Sequence, residues 1–127
     1  MLYSILCYNI ESVVGEWTKE KEAQVMAHHQ KVLDRLAAQG KLGPVARLMP
    51  TTTATTVRAG REPLVLDGPF AETKEQLLGF YVVDCDNLEE VIEIARELTL
   101  ETGAHEIRPV MMFNGRYEVM KQQPTGT

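Results

Sequence analysis

A chain of 127 residues, 44% of them hydrophobic, has the length of one globular domain with a sizeable core, so a single domain over 1–127 is expected. With 13 basic against 18 acidic residues the net charge is -5, and the basic residues are scattered, which argues against direct nucleic-acid binding. The chain does not open on the basic, apolar and small-residue order of a signal peptide, and no apolar run approaches the ~18 residues that span a bilayer, so a cytoplasmic protein without membrane contact is expected.

Residues 1–8 are β-prone and end at a polar stretch, which predicts a first strand. Met1, Tyr3, Ile5 and Cys7 fall on one face and Leu2, Leu6 and Tyr8 on the other, so both faces need cover. A polar connection through Gly15 leads to a helix that starts at Thr18, carries Glu20 and Glu22 near the positive end of its dipole, and runs to about Gln39 before Gly40 ends it. Val25, His29, Val32 and Leu36 share one helical face, flanked by Met26, Leu33 and Ala37, which puts His29 on the packed stripe. His28 lies ~100° round, with Lys31 and Arg35, towards water.

Pro44 to Met49 and Ala54 to Arg58 read as strand segments around a threonine-rich link, and Ala59-Gly60-Arg61 as the turn of a hairpin into Glu62 to Asp67. That strand stops at Asp67 because Pro69 cannot donate to a ladder. The turn is either a preorganised ligand site, with Gly68 supplying backbone freedom and Pro69 fixing its φ, or simply a tight turn capped by Asp67. Thr73-Lys74-Glu75-Gln76 has the spacing of a capping box and predicts a brief helical turn before Leu78 to Asp84, a strand apolar on both faces. Asp86 or Asn87 caps a second helix through Leu100, with Leu88, Val91, Ile92, Ala95, Leu98 and Thr99 as its packed face. His105 to Phe113 is the last main strand, followed by an Asn114-Gly115 turn, a return strand at Tyr117 to Met120 and a loose tail at about 122–127. This order is a split β-α-β unit repeated twice: an α+β, ferredoxin-like fold with an inserted β-hairpin.

The candidate chemistry is sparse. A histidine on a packed stripe is either a general base or a satisfied structural residue. Arg47, Arg58 and Arg108 lie on strands, where a guanidinium is a ligand clamp or half of an ion pair. Lys74 could attract a carboxylate or phenolate, with Glu72 completing a polar rim; the same residues also read as a solvated charge run. Cys7 and Cys85, without Cys-x-x-Cys spacing, read as small buried hydrophobes. His28 and His29 diverge on the helix, and His105-Glu106 lacks the second histidine of a His-Glu-x-x-His helix because Pro109 stands there, so no metal site is expected. There is no Gly-rich phosphate loop and no Gly-x-Ser-x-Gly nucleophile turn, and no cofactor is expected.

Several stretches together carry a family resemblance. They are Val-Met-Ala-His-His in the first helix, Ala54-Thr55-Thr56-Val57-Arg58, the run from Asp67 through Gly68, Pro69, Phe70, Ala71, Glu72, Thr73, Lys74 and Glu75 to Leu77, then Gly79-Phe80-Tyr81, and Glu106 to Val110. The chain resembles the YCII-related superfamily, in its DGPF-domain branch. The resemblance implies bacterial origin, a dimeric α+β barrel and a site built on a His and Asp pair, here His29 and Asp67, but no settled activity. Gly68, Pro69, Phe70, Glu72, Thr73, Lys74 and Arg58 are the accompanying candidates for substrate binding. Members are frequently encoded beside extracytoplasmic-function sigma factors. Two functions are therefore carried forward. One is a cofactor-independent homodimeric enzyme, using His29 and Asp67 for acid-base chemistry on an unknown small molecule in a lyase, isomerase or dehydrohalogenation-like step. The other is a noncatalytic ligand-binding or regulatory module with a functional link to a sigma factor.

Overall fold

Side-chain alternation in β1 (Leu2–Asn9) sets the layout: Tyr3 and Ile5 are buried and Cys7 half-buried on one face, whereas Leu2, Leu6 and Tyr8 on the other are only half-buried. The structure, a computed structural model, describes residues 1–114, so the expected turn through Gly115, the return strand and the tail lie outside the described residues. β1 pairs antiparallel with β5 (Gln76–Asp84) on one side and with β6 (Ala104–Pro109) on the other, and β2 (Leu42–Arg47) adds outside β5. The sheet order is β2-β5-β1-β6. Its register places Ile5 opposite Tyr81 and Ile107, and Cys7 opposite Gly79 and His105, so these residues share the face that carries the core.

Two helices cover that face. α2 (Lys19–Ala38) begins as expected, with the Lys21 amide donating to Thr18 Oγ1 at 3.0 Å, and buries Val25, Val32 and Leu36. α3 (Leu88–Leu98) is capped by Asn87, whose Oδ1 accepts from the Glu90 amide at 3.0 Å. Its packed face is Val91, Ile94, Ala95 and Leu98; Leu88 and Thr99 are exposed and Ile92 is only half-buried, so the stripe is rotated from the one expected. The core joins Ile5, Val32, Leu36, Val83, Val91 and Leu98 across sheet and helices. The described residues thus form an α+β fold, with an antiparallel four-stranded sheet and three helices.

Other local outcomes also depart from the sequence pattern, and β6 stops at Pro109 rather than running to Phe113. The polar connection after β1 contains a short helix, α1 (Glu11–Gly15), tied down by distant partners: the Glu11 amide donates to Gln76 Oε1 at 2.9 Å and its carboxylate accepts from the Thr51 amide at 2.8 Å and hydroxyl at 2.5 Å. The helical turn expected at Thr73 to Gln76 does not form. Gln76 instead opens β5 opposite Asn9 and donates through Nε2 to the Thr73 carbonyl at 2.7 Å, so ladder pairing prevails over the capping spacing. Finally, β3 (Thr55–Arg58) and β4 (Leu64–Asp67) form a separate two-stranded hairpin, its strands exposed apart from the half-buried Thr56.

Candidate functional site

A cavity of about 240 Å³ opens between α2 and the core-facing side of the sheet. Its floor includes Cys7, Gly79, Tyr81 and His105 from three adjacent strands, its roof Val25, Met26, His29 and Leu33 from α2, and Trp17 closes one flank. The lining is largely apolar with a few polar groups, the usual constitution of a small-molecule site.

His29 is half-buried in this wall. Its Nε2 lies 3.2 Å from the Leu98 carbonyl, and its Nδ1 lies 3.4 Å from the Tyr81 hydroxyl, the two rings meeting edge-on. A carbonyl can only accept, so Nε2 carries the proton and donates; Nδ1 then holds a lone pair and accepts from the Tyr81 O–H. Burial pulls His29 below the ordinary histidine range against the opposing bond to Leu98, and the nearby His28 and Arg47 lower it further. Burial likewise lowers His105, assisted by His29, and pushes the Tyr81 hydroxyl up to about 12. The Cys7 thiol, also pushed by burial to about 12, is no nucleophile. At neutral pH the wall therefore holds two neutral imidazoles, an intact phenol and an intact thiol.

The twin histidines have different stations. His28 is exposed yet not merely solvated, since its Nε2 donates to the Glu97 carbonyl at 2.6 Å, one residue before the carbonyl that His29 takes. Together they satisfy two carbonyls at the end of α3, and Arg35 grips the Glu97 carboxylate bidentately at 2.7 and 2.5 Å.

Asp67 lies elsewhere. It ends β4 opposite Thr55, is exposed, and its carboxylate makes no hydrogen bond to His29 or to any other group among the described residues. Gly68 is half-buried at the turn, while Pro69, Phe70, Glu72, Thr73 and Lys74 are exposed, and none of them, nor Arg58, lines the cavity. The turn is tied to its own hairpin: the Gly68 amide donates to the Ala54 carbonyl at 2.7 Å and Thr56 Oγ1 donates to the Gly68 carbonyl at 2.7 Å. Of the strand arginines, Arg47 lines the cavity and approaches Glu22 at 3.5 Å, whereas Arg58 and Arg108 are exposed and form no ion pair among the described residues. Exposure removes the desolvation cost that made pairing the expectation for them.

Over residues 1–114 the sequence matches the YCII-related domain. The chain belongs to the YCII-related family. An uncharacterised protein of Rhizobium meliloti (strain 1021) is 51% identical over 117 residues, covering 89% of this chain and 94% of that protein. In this YCII-related domain the described residues contain no group of three or more His, Cys, Asp or Glu that could hold a metal ion, and none of their helices is long and apolar enough to cross a membrane.

Sequence reading named Tyr81 only within the stretch that carries the family resemblance, did not single out Trp17, and weighed His105 only for metal binding. The signal was present in part: Cys7 and Tyr81 sit at alternating positions of apolar strands, but only the pairing register puts them on one face with His105.

Proposed function

We propose that this YCII-related domain is a cofactor-independent enzyme that performs general acid-base chemistry on a small molecule in the His29 cavity, in a lyase, isomerase or dehydrohalogenation-like step. The observation that supports it is the Tyr81 hydroxyl donating to the lone pair of a neutral, half-buried His29 at the cavity wall. Substrate meets the hydroxyl, not the ring. As a substrate C–H or O–H bond breaks, its proton passes to the Tyr81 oxygen while the phenolic proton moves to His29 Nδ1, leaving an imidazolium and a substrate anion. In an isomerisation the reverse transfer reprotonates a different atom; in an elimination the anion expels a leaving group with its electron pair, and the imidazolium proton passes through Tyr81 to that group or to water. Such positioned proton transfer contributes about 10² to 10⁴-fold to rate.

The finer features of this reading concern assembly. The strand order supports the ferredoxin-like plan, and the Asp67-Gly68-Pro69-Phe70 run supports the DGPF branch. A homodimer formed through the open sheet face, as in a dimeric α+β barrel, would cover Leu2, Leu6 and Phe80, and Asp67 would join His29 only from the hairpin of a second copy. The test is solvent-deuterium incorporation into a panel of enolisable ketones and phenols, followed by proton NMR, for the native protein, His29→Gln, Tyr81→Phe, Asp67→Asn and the His29→Gln/Asp67→Asn pair. Exchange should fall by about 10²-fold or more in the first two variants, and the pair should lose little more than His29→Gln alone. Exchange preserved in both His29→Gln and Tyr81→Phe would end the enzyme reading.

One observation favours the second reading, a noncatalytic ligand-binding or regulatory module functionally linked to a sigma factor: both His29 nitrogens already have partners within the fold. In that case His29→Gln lowers the melting temperature and ligand affinity, with no exchange to lose.

A further inference from the structure

We propose that the cavity receives a small oxygenated monocarboxylate, its carboxylate at Arg47 and a second oxygen at its far end accepting a hydrogen bond from His105 Nε2. The inference rests on the same cavity as the function proposed above, but on no proton transfer within it.

The charge pattern comes first. The chain has 18 acidic residues and a net charge of -5, yet among the described residues no aspartate or glutamate lines the cavity, whereas an arginine and two histidines do. An anion entering there meets the Arg47 guanidinium, whose carboxylate partner Glu22 stands outside the lining. Arg47 is held only by an exposed ion pair, both arms of its guanidinium 3.5 Å from Glu22, and by a 3.6 Å contact to Met26 Sδ; its side chain is 60% exposed, so an incoming carboxylate competes with Glu22 for it. A carboxylate can take this planar donor fork in two bonds.

The second anchor follows from His105. Its Nδ1 is buried without a hydrogen-bond partner. A buried lone pair left unpaired is a lesser fault than a buried N–H left unpaired, so the proton sits on Nε2. Nε2 makes no hydrogen bond among the described residues and is not fully buried, which leaves an unused donor on a residue that lines the cavity.

The sheet register gives the two anchors one axis. Arg47 pairs with Gly79, Gly79 with Cys7, and Cys7 with His105, so the four stand in a row across β2, β5, β1 and β6. Three interstrand spacings separate the outer two, ~14 Å between Cα atoms, with the two small residues between them as floor. The cavity volume of about 240 Å³ lies below the ~300 to 1,000 Å³ of sites for drug-sized molecules, which suits a guest of roughly one ring.

Trp17, the chain's one tryptophan, lines this cavity and reports on occupancy. The native protein is titrated with 4-hydroxybenzoate, its methyl ester and benzoate, followed by Trp17 fluorescence and by calorimetry. The acid should bind about tenfold more tightly than the ester, and about threefold more tightly than benzoate. Arg47→Gln should bring acid and ester to equal affinity, and His105→Phe should do the same for 4-hydroxybenzoate and benzoate. Loss of one discrimination with the other kept is an effect that general unfolding cannot mimic. Equal binding of acid and ester to the native protein, no binding of any probe by calorimetry, or discrimination that survives both substitutions would overturn the proposal. Both discriminations are read from binding alone, without any deuterium exchange, so the ligand class and the proton transfer fail separately.

Discussion

His29 does two things at once: it closes the end of α3 through Nε2 and presents Nδ1 to Tyr81. Because burial holds both His29 and His105 below the ordinary 6.5, the unfolded chain takes up protons before the folded one as the pH falls. Stability from these residues is whole above about 6.5 and is lost as the pH drops towards their lowered folded-state values. The melting temperature should therefore fall between about pH 7 and about pH 5, and fall less in a His29→Gln/His105→Gln variant. Glu97, held low by its bond to Arg35, and Glu90, held low by Lys41, lose their contributions only below the carboxylate range, so that window isolates the imidazoles. Two turn glycines provide a second test. Gly68 has a φ of 97°, whereas Gly60 has a negative φ and a Cβ there would come no closer than 3.7 Å to the Glu62 carbonyl. Gly68→Ala should cost about 1 to 2 kcal/mol in chemical denaturation, and Gly60→Ala should be neutral or stabilise by about 0.4 to 1 kcal/mol.

At the scale of elements, the helices are held by caps and by one another. Asn87 gives α3 its first turn through the bond to the Glu90 amide, so Asn87→Ala should lower stability by about 1 kcal/mol, read from the denaturation midpoint at unchanged slope. An unchanged midpoint would mean that the packing of Val91, Ile94 and Leu98 alone sets the helix start. The β3–β4 hairpin is the opposite case. Val57, Leu64 and Val65 are 63%, 57% and 64% exposed, so the hairpin takes little support from the core and relies on its own ladder and the bonds around Gly68. It leaves an apolar surface of its own exposed.

For the whole molecule, that surface adds to the open sheet face, where Leu2, Leu6 and Phe80 remain half-buried because both long helices lie on the other side. Light scattering at micromolar concentration should find a dimer burying roughly 1,200 Å² or more, and Leu6→Glu/Phe80→Glu should shift it to monomer. A monomeric native protein at that concentration would refute the assembly and, with it, the delivery of Asp67 from a second copy. The overall charge and the cavity have opposite character, which makes net charge a poor guide to the ligand. A chain of net charge -5 places Arg47, His29 and His105, and no aspartate or glutamate among the described residues, on the cavity wall.

The sequence by itself determined the kind and order of the main elements, because those follow from local regularities: alternation in residues 1–8, the Val25-His29-Val32-Leu36 stripe, and the caps at Thr18 and at Asp86 or Asn87, between which the structure chose Asn87. It also placed His29 on an inward face and marked the Asp67 turn. Tertiary structure alone decided what those residues meet. Strand register, set by burying one face of each strand, lined up Arg47, Gly79, Cys7 and His105 and brought Tyr81 to His29, while it drew Gln76 into β5 at the expense of a local helical turn. The hairpin carries Asp67 on a surface of its own, and no local pattern could show that its carboxylate and His29 do not touch within one chain. Periodicity fixes which way a side chain points along its own element, but contacts between distant elements depend on how whole faces pack, and that information is nonlocal.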